Sequence, residues 1–203
     1  RLYFNLQEST SDISMTPTRL WQDPSRSDWF DGGRYVALHT HTWDPTEATL
    51  NDVWNNLQGG IAAGLEVLDA FDTPKALDNP DIAPRRAEVQ GLLAFYMWCT
   101  LDLFAQVPYI NLSTGENTVL SGQAAMDEIE SLVNAAVPNL RTKGESASGA
   151  LFSRAAAKTL LARVYLNKAV YLDRYASSYS FSTSDMDRVI DLTTEVIDEE
   201  GFS

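Results

Sequence analysis

Cysteine is nearly absent from this 203-residue chain, where Cys99 stands alone. A single thiol makes no internal disulfide, and without a CxxC or a Cys/His cluster no soft-ligand metal site can be read. Its neighbours in AFYMWCTLDLF are apolar, so a buried, unreactive thiol is expected. Cations are scarce too: 15 Lys and Arg stand against 28 Asp and Glu, a formal net charge of −13. Nucleic acid is thereby excluded as a partner, because phosphate binding requires clustered Lys and Arg and no basic stripe exists. No stretch approaches the roughly 18 uncharged apolar residues of a membrane-crossing helix, and no signal-peptide pattern opens the chain. GxSxG, P-loop, GxGxxG and HExxH are all missing, so neither a cofactor nor a familiar catalytic apparatus is called for.

What is present is apolar periodicity. Hydrophobic residues make up 44% of the chain, enough to build a sizeable core and to argue against wholesale disorder. From Thr46, Leu50, Val53, Trp54, Leu57, Ile61, Leu65 and Leu68 recur at spacings of three and four, one face of a helix. Gly59, Gly60 and Gly64 weaken that helix by about 1 kcal/mol each relative to Ala, a cost that close approach of a neighbour would justify. A second helix is predicted from Ala83 to Ala105, with Pro84 in its first turn. It is apolar nearly all round and so belongs at the centre. VPYINLSTGENTV reads as an extended connection, and Ser121 as the cap of a third helix reaching Leu140. A fourth helix is expected from Ser148 to about Leu166, and a fifth from Ser184 to Glu199 with Gly201 as its stop. No convincing strand pattern appears, and the expected class is all-α.

An internal repeat sharpens that expectation. RAEVQGLLAFYMW from Arg86 aligns with RAAAKTLLARVYL from Arg154, 68 residues further on. The offset is twice the roughly 34 residues of a tetratricopeptide unit, and another such step reaches Arg188 in RVIDLTTEVI. Stacked helix pairs follow, with Ala155, Ala156, Ala157 and Ala162 small enough for close packing. The domain plan is a helical scaffold over 46–203, preceded by residues 1–45 as a long ordered loop region of the same domain. The chain opens abruptly at RLYFNLQES and stops at EEGFS just after a helical pattern, which predicts a piece of a longer protein.

Chemistry concentrates in the early loop. DPSRSDWFDGGRYVALHTHTWDP, residues 23–45, holds Trp29, Trp43 and both histidines. His39 and His41 lie two apart, and in an extended segment they would face the same side and could share a metal with Asp31 or Asp44. Packing and hydrogen bonding are the favoured account of both histidines, and no metal site is assigned. Acidic pairs such as Asp28 with Asp31, or Asp185 with Asp187, have the chemistry of a glycosidase, but among 28 acids some pair always falls at suitable spacing. The tryptophans carry more. A sugar ring offers an apolar C–H face and a rim of hydroxyls, so an indole beneath the face and carboxylates or guanidinium groups at the rim bind it. Trp21, Trp29, Asp28, Asp31, Arg19 and Arg34 bring those groups together within sixteen residues, beside the Gly32-Gly33 turn. Trp29 serves as readily to anchor the loop as to meet a ligand. Trp43, leading straight into a helix, reads as an anchor.

In order along the chain, LQESTSD (6–12), PTR (17–19), DWFDGGRY (28–35), HTWDP (41–45), VWNNLQGGI (53–61), AEVQGLLAFYMWCTLDLFAQVPY (87–109) and SRAAAKTLLARVYLNKAVY (153–171) resemble the SusD/RagB family of outer-membrane nutrient-binding lipoproteins. The likeness covers nearly the whole chain. It implies a SusD-like, partial fold of tetratricopeptide-like helix pairs. It also implies non-catalytic binding of oligosaccharides on the extracellular face of the outer membrane, for delivery to a SusC-type TonB-dependent transporter. Members are held by a lipidated cysteine, which this chain does not contain. FAQVP at 104–108 stands where FGDVP is usual. Carried onto this sequence, the resemblance places a ligand edge between Arg19 and Arg34. Two alternatives remain open: a tetratricopeptide-type scaffold binding a peptide on its concave helix faces, and an all-helical glycosidase.

Overall fold

The computed structural model describes residues 36–111, 114–142, 145 and 151–198, and there the chain is helical apart from one two-stranded sheet. The chain divides into two compact units, residues 1–60 and 61–203. Much of the predicted early loop lies outside the described residues. Its last part holds a short helix, α1 (Val36–Thr40), which seats Leu38 in a buried position. His41 then turns the chain at a φ of 57°. Asp44 organises the next turn: its Oδ1 accepts from the Thr46 amide at 2.7 Å and the Thr46 hydroxyl at 2.6 Å. The long helix α2 (Ala48–Phe71) begins two residues after the predicted start. Its apolar face is as the spacing implies, with Val53, Leu57, Ile61, Leu65 and Leu68 all buried.

Of the three glycines in α2, Gly64 has the role expected of it. A Cβ there would come within 3.2 Å of the Leu93 side chain, so its absence lets the two helices close together. Gly59 has open space where a Cβ would sit, and the close-approach explanation does not hold for it. After the single turn α3 (Pro74–Leu77) comes α4 (Ile82–Phe104), the predicted central helix. Residues on every side of it are buried, including Leu92, Leu93, Ala94, Tyr96, Met97, Cys99 and Leu101. Gly91 marks where the Phe152 ring crosses α4, and any side chain there would occupy the space of that ring.

The segment after α4 corrects the sequence-based expectation. It is a β-hairpin, β1 (Gln106–Ile110) antiparallel to β2 (Asn117–Ser121), with Pro108 opposite Val119. Strands of five residues with only Val107 buried give too little alternation to read. The turn is nonetheless built from legible parts: Gly115 at a φ of 70° donates to the Asn111 carbonyl at 2.7 Å. The third predicted helix is α5 (Gly122–Ala136), continued by one 3₁₀ turn, Val137–Asn139. Ser121 occupies its N-cap position, yet the side chain makes no capping bond. The fourth helix, α6 (Arg154–Leu166), starts later than expected, and here the cap is real: Ser153 Oγ accepts from the Ala156 amide at 3.2 Å. A short α7 (Lys168–Leu172) and the amphipathic α8 (Thr183–Asp198) complete the second unit.

Helix pairing agrees with the repeat. α4 packs chiefly on α5, and α6 on α8. Leu92-Leu93-Ala94 and Leu160-Leu161-Ala162, the aligned triplets, are buried in both copies. The third step falls on α8 at Arg188. The fold is all-α with tetratricopeptide-like helix pairs, and the small hairpin is its only sheet among the described residues.

Candidate functional site

The six residues read as a ligand edge, Arg19, Trp21, Asp28, Trp29, Asp31 and Arg34, lie outside the described residues. The described chain begins immediately after them, and its first exposed aromatic is Trp43. This indole keeps 42% of its surface in water and lies against the His41 imidazole, with ring centroids 5.3 Å apart and planes tilted by 45°. The sequence assigned Trp43 to anchoring the loop on the helices; instead its ring remains substantially open. The shared metal envisaged for the two histidines required an extended segment, whereas His39 lies within α1 and His41 follows it in a left-handed turn. Among the described residues no three His, Cys, Asp or Glu side chains converge as metal ligands.

Asp44, beside Trp43, has its carboxyl held below the usual carboxylate range by the Thr46 hydroxyl and then the Thr46 amide. Glu145 is lowered likewise, first by the Thr142 amide and then by its hydroxyl. Both are acceptors fixed as anions. A glycosidase acid needs the opposite, a carboxyl kept protonated near neutral pH.

In the second unit, aromatic and charged side chains join α4, α6 and α7. Trp98 Nε1 donates to Tyr171 Oη at 3.0 Å, and the Tyr171 hydroxyl donates to Asp102 Oδ1 at 2.8 Å. The Arg163 guanidinium lies 5.5 Å from the Trp98 ring centroid, and Arg174 lies 5.5 Å from that of Tyr171 while donating to the Leu101 carbonyl. Burial raises the Tyr171 phenol above its ordinary range, and the Asp102 charge adds to the effect. Tyr165 donates to Glu130 at 2.5 Å and is pushed up to about 12, by burial first and that bond second. Tyr109 is raised by burial and donates to Glu128 at 2.8 Å, tying β1 to α5. These phenols are committed to carboxylates, and their bonds lock α4 to α7, β1 to α5 and α5 to α6.

Beyond α7 the surface changes character. Tyr175 is 95% exposed, Tyr179 40% and Phe181 52%, all on the loop between α7 and α8. In the sequence this loop is YASSYSFSTSD (175–185), where exposed and buried rings read alike.

A long central helix, paired helices on a repeat and one hairpin define a SusD-like architecture. It is shared with a solved laminarin binding SusD-like protein, which superposes with a TM-score of 0.62 at 22% sequence identity over 87% of this chain. The chain spans 34% of that protein's length. No family model matches the sequence, and no curated protein matches it.

Proposed function

We propose that this chain belongs to a non-catalytic, surface-exposed glycan-binding protein of the SusD type. In this role it holds oligosaccharides outside the outer membrane for a SusC-type TonB-dependent transporter. A lipid anchor elsewhere in the protein makes the membrane attachment; no described helix is long and apolar enough to cross a bilayer. The observation that carries the reading is the fold shared over 87% of the chain with a laminarin binding protein.

In the proposed site, sugar rings stack on Trp29 and Trp21, while Asp28, Asp31, Arg19 and Arg34 take hydroxyls. Each such hydrogen bond exchanges one with water and returns only about 0.5–1.5 kcal/mol net. Stacking therefore decides affinity, and a single site binds modestly. The test is a tryptophan-fluorescence titration with laminarin on the parent chain and on Trp29→Ala. A saturable change in the parent that the variant loses is expected. Undiminished binding by Trp29→Ala would place the sugar elsewhere.

A further inference from the structure

We infer that the seam joining α8 to α6 and α7 is a register lock. Ion pairs at its two ends, rather than its aliphatic side chains, decide where α8 sits along its partner helices. The device lies wholly within the second unit and is independent of the ligand proposed above.

The two sides of the seam run in step. Going up α6 into α7, positions 158, 161, 165 and 168 are spaced by three, four and three residues. Going down α8, positions 195, 192, 188 and 185 repeat those intervals. Such spacing keeps each set on one helix face, as antiparallel packing requires. Lys158 Nζ lies 3.1 Å from Glu195 Oε2 and Lys168 Nζ lies 2.9 Å from Asp185 Oδ1, so an ion pair stands at either end. Between them Leu161 and Leu192 are both buried, and the Arg188 charge acts on the Tyr165 phenol. The Lys158 side chain keeps only 8% of its surface in water, so its charge is compensated from within the fold.

Aliphatic packing alone does not fix this register. Met186, Val189 and Val196 are half-buried beside Leu192 on the inner face of α8. A shift of one turn, about 5 Å, brings Val189 or Val196 to the place of Leu192 and keeps an aliphatic group opposite Leu161. The ionic residues oppose both shifts. One sets Lys168 against Ser182 and Lys158 against Leu192; the other sets Lys168 against Val189. In each the Lys168–Asp185 pair is lost. A partly buried ion pair returns little net stability, because desolvation offsets its attraction, yet breaking it is costly. That asymmetry specifies a register, as a single buried polar residue does in a coiled coil. The position of Glu195 agrees: it stands in the last turn of α8, where the helix dipole disfavours an acid, and Lys158 supplies the reason for it.

The experiment measures distance by double electron–electron resonance between spin labels at Ser131→Cys on α5 and Thr194→Cys on α8, both exposed positions. Cys99 is buried and stays unlabelled. Two variants are compared with the labelled parent. The apolar one carries Lys158→Met, Glu195→Met, Lys168→Met and Asp185→Leu; the exchanged one carries Lys158→Glu and Glu195→Lys. A single narrow distance is expected in the parent and the exchanged variant. The apolar variant is expected to add a second population displaced by up to about 5 Å, with helicity and urea midpoint close to those of the parent. A single unchanged distance in the apolar variant overturns the inference, and so does a second population in the exchanged one. Failure of the apolar variant to fold overturns it as well, because the pairs would then supply stability rather than register. If the exchanged variant does not fold, the apolar variant decides by the same reading.

Discussion

Ala105 ends the central helix in the left-handed region, at a φ of 64°, with its amide donating to the Leu101 carbonyl. A Cβ in that conformation crowds the following carbonyl and costs about 1–2 kcal/mol, which glycine avoids. The resemblance had already noted FAQVP in place of FGDVP, and the structure shows the physical meaning of that exchange. Ala105→Gly is therefore expected to stabilise the chain by about 0.5–1 kcal/mol after allowing for the glycine's greater freedom when unfolded. Urea denaturation checks it; an unchanged or lower midpoint would contradict the assignment of strain. Cys99 behaves as its apolar neighbours implied, buried with its thiol pushed up to about 12 by desolvation first and the Asp102 charge second.

At the scale of elements, the five helices visible in the sequence are present, because each is a periodic or all-round apolar run longer than a strand can be. The hairpin was not legible. Five-residue strands with one buried position carry no stripe, and what fixes them is pairing across the turn at Asn111 and Gly115. Nor was the tyrosine network legible, since Trp98, Asp102 and Tyr171 meet only after α4 and α7 have packed. That network gives the fold an alkaline limit. Phenols whose pKa is raised on folding contribute stability that is complete below the unfolded value of about 10 and is lost as pH rises through the folded value. For Tyr165 the folded value is about 12, and Tyr96, Tyr109 and Tyr171 are raised in the same direction, each chiefly by burial. Stability should accordingly decline between pH about 10 and about 12, with phenolate absorbance from these residues appearing together with unfolding. Normal ionisation of all tyrosines in a chain still folded would contradict this account.

At the scale of the whole molecule, paired helices bury their apolar faces, while Trp43, Tyr175, Tyr179 and Phe181 remain exposed among the described residues. Its class was legible because the repeat at Arg86 and Arg154 is a property of chain order, and the buried Leu-Leu-Ala triplets confirm it. The loop after α7 was not, since an exposed tyrosine reads the same in sequence as a buried one. The central claim is that this frame holds a carbohydrate without cleaving it. The most direct test is to incubate the chain with laminarin, following bound sugar by equilibrium dialysis and reducing ends in the same solution. The account predicts saturable retention of intact glycan with no increase in reducing ends. Release of new reducing ends, or no retention at any concentration, would contradict it.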